Sequence, residues 1–334
     1  MKPNPISPTI PLDQDGAHHG HLKLPHSRDD SAWGAIMIPL CVIKNGDGPT
    51  ALLTGANHGD EYEGPLALQH LAHTLKAEDI TGRIIIVPAF NYPAFLAAKR
   101  TSPIDGGNLN RMFPGKPDGT ITEKIADYFE RTLIPQSDVV LDIHSGGKTL
   151  SFVPFAAAHI LDDKTQQAAC VSAMEAFNAP YSIMLKEIDS VGMYDTAVED
   201  QGKVFVSTEL GGGGSATALT SAIARKGVRN MLIHAGILQT ELALLPISSP
   251  SKMLDMSDEN AYLFSASDGL VDYAKDLEDP VEVGDVIARV WPKDRTGATP
   301  IEYVAQTSGI LAGRHFPGLI QTGDFLGLIA KVVS

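Results

Sequence analysis

Short apolar runs and amphipathic stretches alternate along most of this chain. Residues 35–43, 51–55, 83–88, 139–144 and 203–208 read as strands, and their apolar residues are continuous rather than alternating. Such runs suit strands covered on both faces, in a mostly parallel sheet. Between them, residues 63–75, 122–134, 162–177 and 216–238 carry helical periodicity, the last as one or two helices. This alternation predicts an α/β fold, built as a three-layer α/β/α sandwich. Residues 1 to about 32 show little periodicity and are expected to form a surface segment.

The pattern changes at Leu245-Pro246-Ile247-Ser248-Ser249-Pro250-Ser251, which reads as a linker and divides the chain into residues 1–250 and 251–334. Beyond it the helical period disappears, and a small all-β domain is expected. An internal echo runs through it: Gly269 and Gly284 stand fifteen positions apart, Gly309 and Gly323 fourteen, and each second glycine precedes an aspartate. Paired turns of this kind resemble the two halves of a biotinyl/lipoyl-type barrel-sandwich hybrid. No lysine occupies a hairpin tip, so a carrier role is not implied, and the expected unit is structural or covers a cleft.

At 334 residues and 43% hydrophobic content the chain is long enough for a substantial core. Its formal charge of −14 argues against nucleic acid or an anionic membrane as partner, since both need a basic footprint. Cys41 and Cys170 are far apart and read as free buried thiols of a reducing compartment. No apolar run approaches a membrane-spanning length and the N-terminus has no signal core, so a cytoplasmic protein is expected.

Chemistry enters where the strands stop. After residues 51–55 come Asn57-His58-Gly59-Asp60-Glu61, which place an imidazole and a carboxylate three positions apart. Helical spacing or a bend after the strand brings both to one side. The run 139–143 ends on His144, and the run 203–208 on Glu209, followed by Gly211 to Gly214. Open α/β sheets bind ligands at the carboxyl ends of their strands, so three strands deliver these groups to one edge. Two histidines and one glutamate are a ligand set of hydrolytic zinc sites, with a fourth position for water. A carboxylate outside the ligand set must then carry the proton, and Glu209 is the candidate general base and acid. Asp142, two positions before His144, either orients that imidazole or is an ordinary carboxylate. The cluster His18, His19, His21 and His26 has no carboxylate to fix a geometry and reads as surface. The loop from Arg100 to Gly115 holds two arginines and two asparagines, which either bind a carboxylate or are simply solvated.

His58-x-x-Glu61, Gly-Gly-Asn-Leu-Asn110-Arg111, Leu-Asp-Ile-His144 and Thr-Glu209-Leu followed by four glycines resemble, in this order, the succinylglutamate desuccinylase/aspartoacylase family of the zinc carboxypeptidase superfamily. The resemblance runs over nearly the whole chain. It implies a zinc-carboxypeptidase-like fold and an amidohydrolase of small N-acyl amino acids that binds one Zn2+ per chain through His58, Glu61 and His144. It also implies Glu209 as general base, Arg100 as the group that polarises the scissile carbonyl, and Asn110 with Arg111 as holders of the substrate carboxylate. Tyr194 falls where aspartoacylases carry a substrate-contacting tyrosine. Those enzymes place an arginine soon afterwards, whereas this chain reads Asp195-Thr196-Ala197-Val198-Glu199-Asp200. Acidic residues there suit a cationic side chain, and the pattern looks most like the subgroup that deacetylates N-acetyl-diaminobutyrate. The alternatives are a desuccinylase or aspartoacylase-type deacylase and, within the superfamily, a carboxypeptidase. A homo-oligomer is left open.

Overall fold

The computed structural model describes residues 2–186, 191–239 and 250–333. The chain begins with β1 (Ser7–Pro8), β2 (Gly16–Pro25) and β3 (Ala35–Asn45). Next come β4 (Thr50–Gly55), α1 (Glu63–Thr74), β5 (Gly82–Val87), α2 (Tyr92–Leu96), α3 (Ile121–Tyr128) and β6 (Val139–His144). They are followed by β7 (Leu150–Phe152), β8 (Phe155–His159), α4 (Lys164–Phe177), β9 (Tyr181–Leu185), α5 (Tyr194–Glu199), β10 (Val204–Glu209) and α6 (Ala218–His234). After residue 250 the chain forms β11 (Lys252–Asp255), β12 (Tyr262–Phe264), β13 (Gly269–Tyr273), β14 (Pro280–Val281), β15 (Val286–Trp291), β16 (Ile301–Val304), β17 (Gly309–His315), β18 (Leu319–Ile320) and β19 (Phe325–Val332).

The centre of the large sheet runs β5-β4-β6-β10, all parallel. Its flanks correct the expectation of a mostly parallel sheet. β3, paired along its length with β2, meets β5 antiparallel, and β8 meets β10 antiparallel. The central strands bury residues on both faces in strict alternation. Ile84, Leu53, Leu141 and Val206 join one core with α1, α4 and α6, while Ile85, Leu52, Val140 and Phe205 join a second with α3 and α5. Burial on both sides is why these strands read as unbroken apolar runs.

Two further differences have local causes. The expected helix over 122–134 is regular only to Tyr128, then widens into a π-turn and a 3₁₀ turn carrying Pro135, whose ring does not fit a helix interior. Residues 16–25, expected to be irregular, form β2, in which His19 and His21 face solvent and Leu22 and Leu24 face the core. The linker read at 245–251 lies, through residue 249, outside the described residues.

The C-terminal region is all β, as expected, but it is stitched to the large sheet. β11 pairs with β9, β19 with β11, and β7 reaches across to β17. The sequence echo is also a structural one. Gly284 and Gly323 both take a positive φ, at 93° and 91°, and Asp285 and Asp324 each accept a bond from a backbone N–H three residues earlier. A Cβ on Gly269 or Gly309 would fall 2.3 or 2.2 Å from the carbonyl oxygen of Trp291 or Ala330 on the paired strand.

Candidate metal centre and active-site cavity

β4, β6 and β10 are consecutive neighbours in the sheet and point the same way, so their carboxyl ends share one edge. Glu209 sits directly opposite His144 in the β6–β10 register. At the end of β4 the backbone turns through Ala56, a fully buried non-glycine residue with φ of +51°. Such strain, stored in a buried bend, commonly marks a functional turn. His58 and Glu61 follow in that turn rather than in a helix, since α1 begins only at Glu63. Gly59 is required there: a Cβ would lie 2.0 Å from the Ala94 carbonyl carbon.

The three side chains converge. Glu61 Oε1 is 2.7 Å from His58 Nδ1, and Glu61 Oε2 is 2.9 Å from His144 Nδ1 and accepts the Ser145 backbone N–H at 3.2 Å. Donor atoms of His58, Glu61 and His144 all lie within 4.8 Å of one another, and all three residues are buried. Two imidazoles and a carboxylate turned toward one point fit a divalent transition metal such as zinc, with a position left for water.

The surroundings orient this set. Asp142 Oδ2 lies 2.7 Å from His144 Nε2 and accepts Asn57 Nδ2 at 2.9 Å, while Asp142 Oδ1 accepts the Thr54 hydroxyl at 2.7 Å. Of its two readings, Asp142 therefore takes the orienting one, which fixes the ring of His144, a candidate ligand. Burial disfavours charge on His144, but Asp142 and Glu61 outweigh it and hold its pKa well above the usual imidazole value. For His58, burial prevails over the pull of Glu61, and its pKa is lowered. Burial also opposes the charge of Glu61, yet the two histidines bring its pKa down. Glu209 is different: burial, reinforced by Glu61, pushes its carboxyl up to about 8. A carboxyl that exchanges its proton near neutral pH suits a general acid and base.

These groups open into a cavity of about 430 Å3. Arg100, Asn110 and Arg111 line it, and Arg100 Nη1 lies 3.3 Å from His58 Nδ1. Tyr194 is the correction. Its ring is fully buried among Phe90, Phe113, Phe129 and Phe205 and does not line the cavity, whereas its neighbours Met193 and Asp195 do. An aromatic side chain of this size on a short helix goes to the core, and the polar residue beside it turns to the opening. Sequence reasoning also missed the apolar wall of Met256, Tyr262, Phe325 and Leu328, contributed by the C-terminal region, and His159 at the end of β8.

Residues 47–235 match the succinylglutamate desuccinylase/aspartoacylase catalytic domain. The chain belongs to this family. It is 55% identical, over its whole length and 97% of the relative, to N-alpha-acetyl-L-2,4-diaminobutyric acid deacetylase of Halomonas elongata. Its fold matches the product-bound ectoine utilization protein EutE (DoeB) of Ruegeria pomeroyi at a TM-score of 0.96 and 66% identity, covering 99% of this chain and 100% of that one. A succinylglutamate desuccinylase from Silicibacter sp. TM1040 matches equally well, with a TM-score of 0.96, 68% identity and full coverage of both chains. The mixed α/β fold with its C-terminal β region is the fold of family members at lower identity too, such as the protein from Rhodobacter sphaeroides at 32% and a TM-score of 0.93.

Proposed function

We propose that this family member is a zinc-dependent amidohydrolase that removes the acetyl group from N-alpha-acetyl-L-2,4-diaminobutyrate. One observation carries the reading: His58, His144 and a Glu209 poised near neutral pH line one small cavity, and the ligand atoms of Glu61 and the two histidines lie within 4.8 Å of one another. The substrate is that named for the Halomonas elongata relative. A single Zn2+ held by His58, Glu61 and His144 would supply Lewis acidity and acidify its water.

The remaining steps belong to the chain's own groups. Glu209 takes a proton from the attacking water and delivers it to the departing α-amine, releasing acetate and the free amino acid. Arg100, beside His58, stabilises the charge that develops on the acyl oxygen. Asn110 and Arg111 hold the substrate carboxylate, Arg111 through its planar fork. Asn110 is itself held in place, since its Oδ1 accepts the Tyr194 backbone N–H at 3.0 Å.

Residues 251–334 are, in this reading, a barrel-sandwich-like unit, which the duplicated glycine–aspartate turns support, joined to the amidohydrolase domain of residues 1–250 by the pairing of β11 with β9 and of β17 with β7. Its Met256, Tyr262, Phe325 and Leu328 close one side of the cavity, which favours a small N-acyl amino acid over a polypeptide. The test is a panel of N-acetyl and N-succinyl amino acids incubated with metal-loaded protein, with release of free amine as the signal. Preferred hydrolysis of N-acetyl-diaminobutyrate is expected. A strong preference for succinyl substrates, or cleavage of peptides, overturns the proposal.

A further inference from the structure

A buried polar chain runs beneath the metal centre, and it starts on a strand that delivers none of the groups discussed so far. That strand is β5, the fourth parallel strand at this edge of the sheet. The β4–β5 ladder ends with Thr54 opposite Val87, just before β4 turns away through the strained Ala56. Past that point Phe90 and Asn91 take up three successive carbonyls. The Phe90 N–H donates to the Gly55 carbonyl at 3.1 Å, the Asn91 N–H to that of Ala56 at 3.2 Å, and Asn91 Nδ2 to that of Asn57 at 3.1 Å. The amide side chain continues the ladder around the bend.

Asn91 immediately precedes α2, a position where asparagine ordinarily caps the helix. Its side chain makes no cap bond and turns to Asn57 instead. Asn57 passes the constraint on, since its Nδ2 donates at 2.9 Å to Asp142 Oδ2, the oxygen that lies 2.7 Å from His144 Nε2. Thr54 holds the other oxygen. A carboxylate gripped at both oxygens does not rotate, so the His144 ring keeps its Nδ1 toward Glu61. The donor end of each amide is fixed by its partner, because a carbonyl and a carboxylate only accept. Asn57 and Asn91 are fully buried, neither lines the cavity, and the amide oxygen of each has no partner. Each side chain is desolvated for one directed bond, which serves position more than stability.

We infer that Asn91 is a positioning residue of the metal centre, acting through Asn57 and Asp142 on the orientation of His144. This rests on the metal-centre reading above. Loss of the Asn91 amide leaves the buried Asn57 carbonyl unpaired in a turn already strained at Ala56. The turn relaxes, Asn57 withdraws from Asp142, and the His144 ring gains freedom. Metal affinity then falls, as it does when the groups behind a ligand are removed.

The experiment measures Zn2+ affinity by competition with a chromophoric chelator, on wild type, Asp142→Ala, Asn57→Ala, Asn91→Leu and the double variant Asn57→Ala/Asn91→Leu. Asp142→Ala and Asn57→Ala are expected to bind Zn2+ about 10-fold more weakly or worse, and Asn91→Leu about fivefold more weakly. The double variant should bind no more weakly than Asn57→Ala, because the route from Asn91 is already broken there. Effects that simply multiply overturn the inference, and so does wild-type affinity in Asn91→Leu. KM for N-acetyl-diaminobutyrate at saturating Zn2+ should stay within about twofold of wild type in Asn91→Leu, and a rise of about tenfold would place its effect on the substrate and overturn the inference. Should Asn91→Leu fail to fold, the smaller Asn91→Ala takes its place in the same cycle. A wild type that binds no Zn2+ overturns the metal-centre reading and the inference with it, whereas unchanged affinity in the variants overturns the inference alone.

Discussion

His144 and His159 are near copies of one arrangement at opposite ends of one cavity. Each ends a buried strand, and each ring lies between two carboxylates: Glu61 and Asp142 for the first, Glu199 and Asp195 for the second. The difference is in the third neighbour. His144 faces a second imidazole, with ring centroids of His144 and His58 5.0 Å apart, whereas His159 is stacked on Phe205. Two imidazoles and a carboxylate form a donor set for a divalent cation, and among the described residues that set occurs only at His58, Glu61 and His144. One imidazole with two carboxylates and an aromatic neighbour is not such a set. Strand direction separates the two, because β6 runs parallel to β10 and β8 antiparallel.

The largest effect expected divides the pair. His144→Ala should empty the metal site and lower activity by ~10²-fold or more, while His159→Ala should keep close to one metal per chain. Metal analysis of the two purified variants checks this, and loss of metal from both would erase the distinction. Glu209→Gln should come next. It should keep its metal and lose ~10²-fold in kcat, as removal of a general acid–base group does. Turnover close to wild type would remove Glu209 from the proton-transfer role.

A smaller effect concerns pH. The Glu209 carboxyl, raised to about 8 by burial and Glu61, has an ordinary value of 4.5 when exposed. Between those values the folded metal-free chain binds this proton and the unfolded chain does not. Stability therefore falls as pH rises through that window. The Glu209→Gln variant carries no such proton, so its stability relative to metal-free wild type should improve steadily from about pH 4.5 to about pH 8. Denaturant melts across that range measure the difference, and parallel curves would place the Glu209 pKa near its ordinary value.

The end with His58, Glu61 and His144 was legible in the sequence, whereas of the other end only the acidic run from Asp195 was, for reasons visible in the residues. His144 and Glu209 close long apolar runs on parallel strands, where the carboxyl-end rule applies directly. His159 closes Phe-Ala-Ala-Ala-His, in which three alanines favour a helix as much as a strand, and β8 then runs against the rule's direction. α5 is six residues long, too short for periodicity to register, so the orientations of Tyr194 and Asp195 stayed hidden. Met256, Phe325 and Leu328 reach the cavity only through pairing of β11 and β19 with the large sheet, a long-range fact that no local pattern records.

Tyr194 supplies the smallest predicted effect. Family resemblance gives it a substrate contact, while its ring is stacked on Phe113 at 5.0 Å and 28° inside the second core. Burial pushes its phenol well above the ordinary value, so the hydroxyl stays neutral. Tyr194→Phe keeps the ring and its packing and removes only that hydroxyl, which is buried without a hydrogen-bond partner, so stability should change by less than about 1 kcal/mol. KM for the N-acetyl substrate should stay within about twofold of wild type, since no ground-state contact is lost. A tenfold rise in KM would place the hydroxyl on the substrate, as the family resemblance implies.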